Sequence, residues 1–177
     1  MLVQLNGRIV GVDRLEIRLD CRAYVDVHGP NLPGMAHGFQ VTFDAADPMA
    51  VAEFWAGALG YIVQPPPEGF ETWEEFADSV GIPEEDRDNL AAVIDPDGAG
   101  PRLLFQKVPE GKTVKNRVHL DVNVTERDTA DEDRRTAVDA EVERLIALGA
   151  TRLDDFDDQT GMWTVMQDVE GNEFCVQ

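Results

Sequence analysis

Residues 40–61 read Gln-Val-Thr-Phe-Asp-Ala-Ala-Asp-Pro-Met-Ala-Val-Ala-Glu-Phe-Trp-Ala-Gly-Ala-Leu-Gly-Tyr. The opening five alternate polar and apolar, the period of a half-buried strand. Asp47-Pro48 then opens a helix, because Asp accepts from free N–H groups at an N-terminus and Pro tolerates the first helical position. Val51, Phe54, Trp55 and Ala58 fall on one face of that helix, and Gly60 ends it. A strand feeding a capped amphipathic helix is the unit from which the rest of the chain can be read.

Outward from this stretch, Tyr61–Gln64 is predicted as a short strand, broken by Pro65-Pro66-Pro67. Thr72-Trp73-Glu74-Glu75 has capping-box spacing, which predicts a short helix ending near Gly81. Ala91–Ile94 and Arg102–Val108 read as a hairpin around Asp95-Pro96-Asp97-Gly98. The order then recurs. Val118–Val124 alternates as a strand, and the acidic stretch Thr125–Asp133 reads as a loop. Val138, Val142, Leu145 and Ile146 form a helical stripe closed by Gly149. Thr151–Leu153 is a short strand, and Met162–Gln167 with Glu173–Val176 close the chain as a hairpin. Ala58-Leu59-Gly60 matches Ala147-Leu148-Gly149, and Asp95-Pro96-Asp97-Gly98 matches Asp168-Val169-Glu170-Gly171. Repetition of element order, helix ending and turn chemistry argues for two copies of one β-α-β-β-β unit. Each copy leaves an open sheet edge and one apolar helix face, so two together bury more surface.

Residues 1–34 differ. They end in Gly29-Pro30-Asn31-Leu32-Pro33-Gly34, a turn-rich hinge, and Leu15–Val27 alternates weakly as a strand or hairpin would. They are read as an N-terminal extension or arm, with a domain over 35–177 built from modules 36–108 and 117–177.

The strings Gln40–Tyr61, Arg117-Val118-His119-Leu120-Asp121-Val122, Leu148-Gly149-Ala150 and Asp168–Cys175 together resemble the glyoxalase/bleomycin-resistance/dioxygenase, or vicinal oxygen chelate, superfamily. The Lys115–Asp121 and Gly171–Cys175 strings resemble its glyoxalase-like branch found in many actinobacterial proteins. The resemblance implies an α+β fold, paired βαβββ modules forming a curved mixed sheet around a cleft. It also implies a divalent metal (Mn, Ni, Zn or Fe) in catalytic members, held from the first and last strands of each module. Carried over position by position, Gln40 and His119 occupy the first-strand places. Cys175 stands where the second module would offer Glu, and the first-module partner falls near Leu104 or Gln106. The implied ligand set is therefore Gln40, His119, Gln106 and Cys175. No catalytic residue is assigned. A homodimer is expected by the same analogy.

Alternation alone predicts a polar cleft. Gln40, Thr42 and Asp44 share one strand face; His119, Asp121 and Asn123 share the equivalent face of the second module. Thr42, Asp44, Asp121 and Asn123 are therefore candidate ligand-binding residues, joined by Trp73 in the insertion and Trp163 on the closing hairpin as aromatic walls. Each has a plainer reading: cross-cleft hydrogen bonds for Gln40 and His119, a buried small hydrophobe for Cys175, solvated carboxylates for Asp44 and Asp121, sheet packing for Trp163. Lys112–Arg117, the basic cluster between the modules, could hold an anionic group of a substrate; its plainer reading is a solvated connector.

Bulk composition narrows the rest. Among 177 residues, 35 Asp and Glu against 15 Lys and Arg give a net charge of −20. Such a surface repels phosphate backbones, which excludes nucleic acid as the expected partner. No apolar run approaches the roughly 20 residues that cross a bilayer. Two cysteines, Cys21 and Cys175, form no disulfide framework, and a cytoplasmic location is the expectation. The resemblance implies a small-molecule ligand, handled either by sequestration or carriage, or by a metal-dependent lyase, isomerase or dioxygenase reaction; a module pair serving mainly as an interaction or dimerisation unit is the third reading.

Overall fold

The computed structural model describes residues 3–5, 8–10, 38–126, 128–159 and 161–177. Contacts divide the chain into two units, Met1–Pro33 and Gly34–Gln177. In the first unit β1 (Val3–Leu5) pairs antiparallel with β2 (Arg8–Val10). The expected Leu15–Val27 strand or hairpin lies outside the described residues, as does Cys21.

The second unit repeats one motif. Its first module runs β3 (Gln40–Ala45), α1 (Pro48–Leu59), β4 (Ile62–Val63), β5 (Leu90–Ile94) and β6 (Arg102–Lys107). Between β4 and β5 are inserted α2 (Trp73–Val80) and a 3-10 turn, Glu84–Asn89. The second module runs β7 (Asp121–Val122), α3 (Asp131–Ala147), β8 (Thr151–Asp158), β9 (Gly161–Gln167) and β10 (Glu173–Val176). Each module forms a four-stranded mixed sheet of the same topology, β3-β6-β5-β4 and β7-β10-β9-β8. In each, the first strand pairs parallel with the last, and the other pairings are antiparallel.

Local chemistry accounts for the helix ends. Asp47 accepts from the Ala50 N–H at 3.2 Å, Pro48 follows it, and Gly60 takes the left-handed conformation at φ 68° that ends α1. Thr72 caps α2 through the Glu75 N–H at 3.1 Å. The alternation along β3 holds: Val41, Phe43 and Ala45 turn toward the core, while Gln40, Thr42 and Asp44 are exposed. One core joins both modules, with Val51, Phe54, Trp55 and Ala58 of α1, Val138, Val142 and Leu145 of α3, and Phe105, Met166 and Phe174 of the sheets. Phe174 meets Trp55 at 5.2 Å and Phe54 at 5.9 Å between ring centroids. A second-module side chain thereby completes the packing of the first-module helix.

The structure differs from the sequence expectation at the following points. The Val118–Val124 strand shrinks to Asp121–Val122. Near its expected start, the Asn116 backbone N–H is taken by the Glu173 carboxylate at 2.9 Å instead of by a ladder carbonyl. The Thr151–Leu153 strand extends to Asp158, through five residues of which four are Asp. It lies at the outer edge of its sheet, so carboxylates can stay in water while the backbone pairs with β9. Arg152 and Arg135 offset part of that charge, reaching Asp155 at 2.7 Å and Asp157 at 2.5 Å. The loop expected to Asp133 ends sooner, since α3 begins at Asp131; three acidic residues in its first turn suit the positive end of the helix dipole. Ile146, assigned to the buried stripe, is exposed.

Candidate functional site

The two modules meet along the outer edge of β3 and the segment leading into β7. Between them lies a cavity of about 250 Å³ lined by residues 41–44, Trp55, Asn116, Val118, Leu120, Asn172 and Glu173. Its apolar wall comes from Val41, Phe43, Trp55, Val118 and Leu120. Trp55 is fixed there by its ring contact with Phe43, 5.5 Å between centroids, and by donating its indole N–H to Asp168 at 3.1 Å. Asp168 is 3% exposed and also accepts from the Glu170 and Asn172 backbone N–H groups and the Asn172 side-chain amide. Glu170, in the same turn, accepts from the Ala46 N–H at 2.8 Å and the Asp47 N–H at 2.6 Å, at the start of α1. The closing turn of module two therefore clasps the opening of helix one, which positions the cavity wall.

The polar rim is tied to the linker. Glu173 pairs with Lys112 at 2.8 Å and accepts from the Asn116 N–H, while the Asn116 side-chain amide donates to the Glu173 carbonyl at 3.4 Å. The Lys112 ammonium is the main cause that holds the Glu173 carboxyl down at about 2, against the opposing effect of burial. Lys112 of the basic linker thus pairs with the closing strand.

The predicted ligand residues fall as follows. On the exposed face of module one, Gln40 accepts from the Arg102 guanidinium and donates to the Thr42 hydroxyl at 3.2 Å; Arg102 also donates to Gln64 at 2.7 Å. Gln106 donates its amide to Asp44 at 2.8 Å. On module two, Cys175 lies opposite Asp121, and Gln177 donates to Asn123 at 3.0 Å. Burial first, and the Asp121 carboxylate second, push the Cys175 thiol up, so it stays protonated at neutral pH. His119 lies between the lining residues Val118 and Leu120 but is not itself in the lining, and neither is Gln40.

Ladder register tests the implied metal set. Gln40 pairs with Arg102 across β3 and β6, and Cys175 pairs with Asp121 across β10 and β7. Aligning His119 with Gln40 brings Cys175 onto Leu104, a carbon side chain, rather than onto Gln106. The oxygen of Gln40 faces a guanidinium and the thiol of Cys175 faces a carboxylate. Among the described residues no group of three or more His, Cys, Asp and Glu side chains could hold a metal ion. This donor set does not fit a divalent centre of the implied kind.

The aromatic candidates divide. Trp73 donates to the Gln64 carbonyl at 3.0 Å and packs edge-on against Phe76 at 5.8 Å, an anchor for the insertion that stands outside the cavity lining. Trp163 stacks on Phe156 at 5.1 Å and 10° on β9 and β8. Trp55, read from sequence as core, is also cavity wall. The rim residues Asn116, Asn172 and Glu173 were missed as site residues; their signal was the seam position between the two repeats, which strand alternation does not register.

Paired βαβββ modules with parallel first and last strands define a glyoxalase-like α+β fold. The glyoxalase-like domain model matches residues 40–177, and the chain belongs to that family. Among solved structures, a possible glyoxalase from Bacillus cereus aligns with TM-score 0.52 at 15% identity, over 81% of this chain and 99% of that one. A glyoxalase/bleomycin resistance protein/dioxygenase family enzyme from Burkholderia phytofirmans PsJN aligns with TM-score 0.51 at 17% identity, over 77% and 94%. A mutant of the fosfomycin resistance protein FosX from Listeria monocytogenes, complexed with Mn(II) and 1S,2S-dihydroxypropylphosphonic acid, aligns with TM-score 0.51 at 13% identity, over 81% and 90%. At such identities the likeness is one of fold. No curated protein matches the sequence. No helix among the described residues is long and apolar enough to cross a membrane.

Proposed function

We propose that this chain binds a small organic molecule in the cavity between its modules and acts by carriage or sequestration, without a divalent-metal centre. The observation that carries the reading is the contrast between two places in the same fold. The seam holds an aromatic-walled cavity with a polar rim, the composition small-molecule sites share. The ladder positions that would ligate a metal hold Leu104, a Gln40 bound to Arg102, and a thiol beside Asp121. A homodimer belongs to the same reading by family analogy; sedimentation velocity returning a monomer mass would remove it.

The test is protein-observed NMR with a fragment set of mixed charge. Saturable shifts are expected at the Asn116, Leu120 and Asn172 amides and at the Trp55 indole. Val118 is 73% exposed yet lines the cavity, so Val118→Trp should fill the mouth without disturbing the core and abolish those shifts. Shifts that never saturate, or that survive Val118→Trp, refute the reading. Stoichiometric Mn²⁺ broadening centred on Gln40, His119 and Cys175 would replace it with the metal-dependent one.

A further inference from the structure

Resting on the seam cavity as the binding site, we infer that its ligand is a secondary amide about the size of one amino-acid residue, lying extended along the open edge of β3 with an apolar side chain against Phe43, Trp55 and Leu120. Successive side chains of a strand turn to opposite faces, so consecutive residues share one cavity only along the edge of the strand, where the backbone lies. Module one offers residues 41–44 in unbroken succession, whereas the segment leading into β7 offers alternate residues, Asn116, Val118 and Leu120. One wall is therefore strand edge and the other is side chains. The Asp44 side chain stays on the exposed face of the sheet, bonded to Gln106, so it is through its backbone that Asp44 borders the cavity.

Ladder geometry fixes which groups that edge presents. β3 is the outer strand of its sheet and pairs with β6. On that side the Ala45 carbonyl accepts from the Val108 N–H at 2.9 Å. The N–H and C=O of one strand residue point the same way and those of the next point oppositely, so Val41 and Phe43 also face β6. Thr42 and Asp44 then face the seam. Ala46, the next residue of that row, has the expected direction: its N–H reaches module two, where Glu170 accepts it at 2.8 Å. The N–H and C=O groups of Thr42 and Asp44 meet no backbone partner among the described residues. The edge therefore presents N–H, C=O, N–H and C=O in turn, over two residues spaced roughly 7 Å apart. A neutral ligand that answers both kinds of group in this order carries a peptide unit, the chemistry by which extended segments add to sheet edges. Phe43, Trp55 and Leu120 beside the edge suit one apolar side chain. The volume of about 250 Å³ is roughly eight times the share of one liquid water, the scale of one residue between two peptide groups. No Lys, Arg or His lines the cavity among the described residues, so a free carboxylate on the ligand would find no counter-charge there.

The probe is N-acetylleucine N-methylamide, titrated by NMR and calorimetry at neutral pH. Beside it run its two ester analogues, each with oxygen in place of one N–H, and N-acetylglycine N-methylamide, which lacks the side chain. At least one ester should bind about tenfold weaker than the parent, the scale of one hydrogen bond whose carbonyl partner is left unpaired. The glycine amide should also bind about tenfold weaker or worse, for want of apolar surface to bury. In the complex, hydrogen exchange at the Thr42 or Asp44 N–H should slow, while Val41 and Phe43, already bonded to β6, should not change. These comparisons leave the protein sequence untouched, so no failure to fold can obscure them. Equal affinity of the parent and both esters, no slowing at Thr42 or Asp44 in the complex, or both amides already protected in the free protein overturns the ligand class. If the esters or other fragments still give saturable, Val118→Trp-sensitive shifts, the cavity reading stands and only the class is lost. If neither these probes nor the fragment set moves the Trp55, Asn116 or Asn172 signals, both fall.

Discussion

The two modules share one topology but are held differently. In the first, the turn before the last strand is closed by Asp95, whose carboxylate accepts from the backbone N–H groups of Asp97, Ala99 and Gly100. These bonds, led by Asp97 and Gly100, lower its pKa, and the whole turn stays near solvent. In the second, the matching Asp168 is buried and reaches across to Trp55, and Glu170 caps helix one. The first turn serves its own hairpin; the second fastens one repeat to the other. Helix one therefore begins under two carboxylates, Asp47 and Glu170, whereas helix three begins at Ala130 with no side-chain cap. Duplication supplied equivalent positions, and the cavity lies where equivalence has been broken.

The largest effect should come from the shared aromatic cluster. Trp55→Ala removes a 1% exposed ring that touches Phe43, Phe54 and Phe174 and forms the cavity wall. A loss of about 3–5 kcal/mol in chemical denaturation is expected. A loss below about 1.5 kcal/mol would mean that the modules do not depend on a joint core.

Next comes the comparison of the two turns. Asp168→Ala strands buried donors, the Trp55 indole among them, and should cost about 2–4 kcal/mol. Asp95→Ala, whose donors can turn to water, should cost clearly less than Asp168→Ala. Equal costs would erase the distinction between a hairpin turn and an intermodule clasp. A double-mutant cycle between Glu170→Ala and Asp47→Ala sharpens it further: each single change should cost about 1 kcal/mol, with coupling because both carboxylates act on the first turn of one helix.

Acid should act on the linker clasp. Glu173 has its carboxyl depressed to about 2 from an ordinary 4.5, chiefly by Lys112. A depressed carboxylate contributes stability above its unfolded pKa and loses it as pH falls toward the folded value. Stability should decline between about pH 4.5 and 2, and Glu173→Gln should flatten that part of the profile. An unchanged slope in the variant would assign the acid loss to other carboxylates.

Much of this architecture was legible because it is written in local codes. Alternation marked β3, Asp47-Pro48 and Gly60 bracketed α1, and the two Asp-containing turns exposed the repeat. The strand Thr151–Asp158 was shortened in the reading because four aspartates oppose strand propensity, and only the edge position in the folded sheet removes the penalty. Gln40, Thr42 and Asp44 were placed on one face correctly by period two, but the sequence cannot say that Arg102, 62 residues on, would take the Gln40 oxygen. Register between distant strands decides that, and with it decides that Leu104 matches Cys175. The rim formed by Asn116, Asn172 and Glu173 was hidden for the same reason: these residues belong to a seam, which exists only after two modules have met.

The smallest expected effect returns to the asymmetry of the helices. Ala130 stands at the N-cap of α3 in extended conformation, φ −60° and ψ 145°, where a Ser or Asp side chain could accept from the first turn. Ala130→Ser should add about 0.5–1 kcal/mol. Asp131, Glu132 and Asp133 already favour the helix dipole there, so Ser is preferred to Asp, whose fourth carboxylate would repel the other three. A gain in this range would show that the second helix begins under-fastened, consistent with stabilising devices concentrated on helix one and its intermodule clasp. No gain would mean that the free N–H groups of the first turn are already satisfied by water.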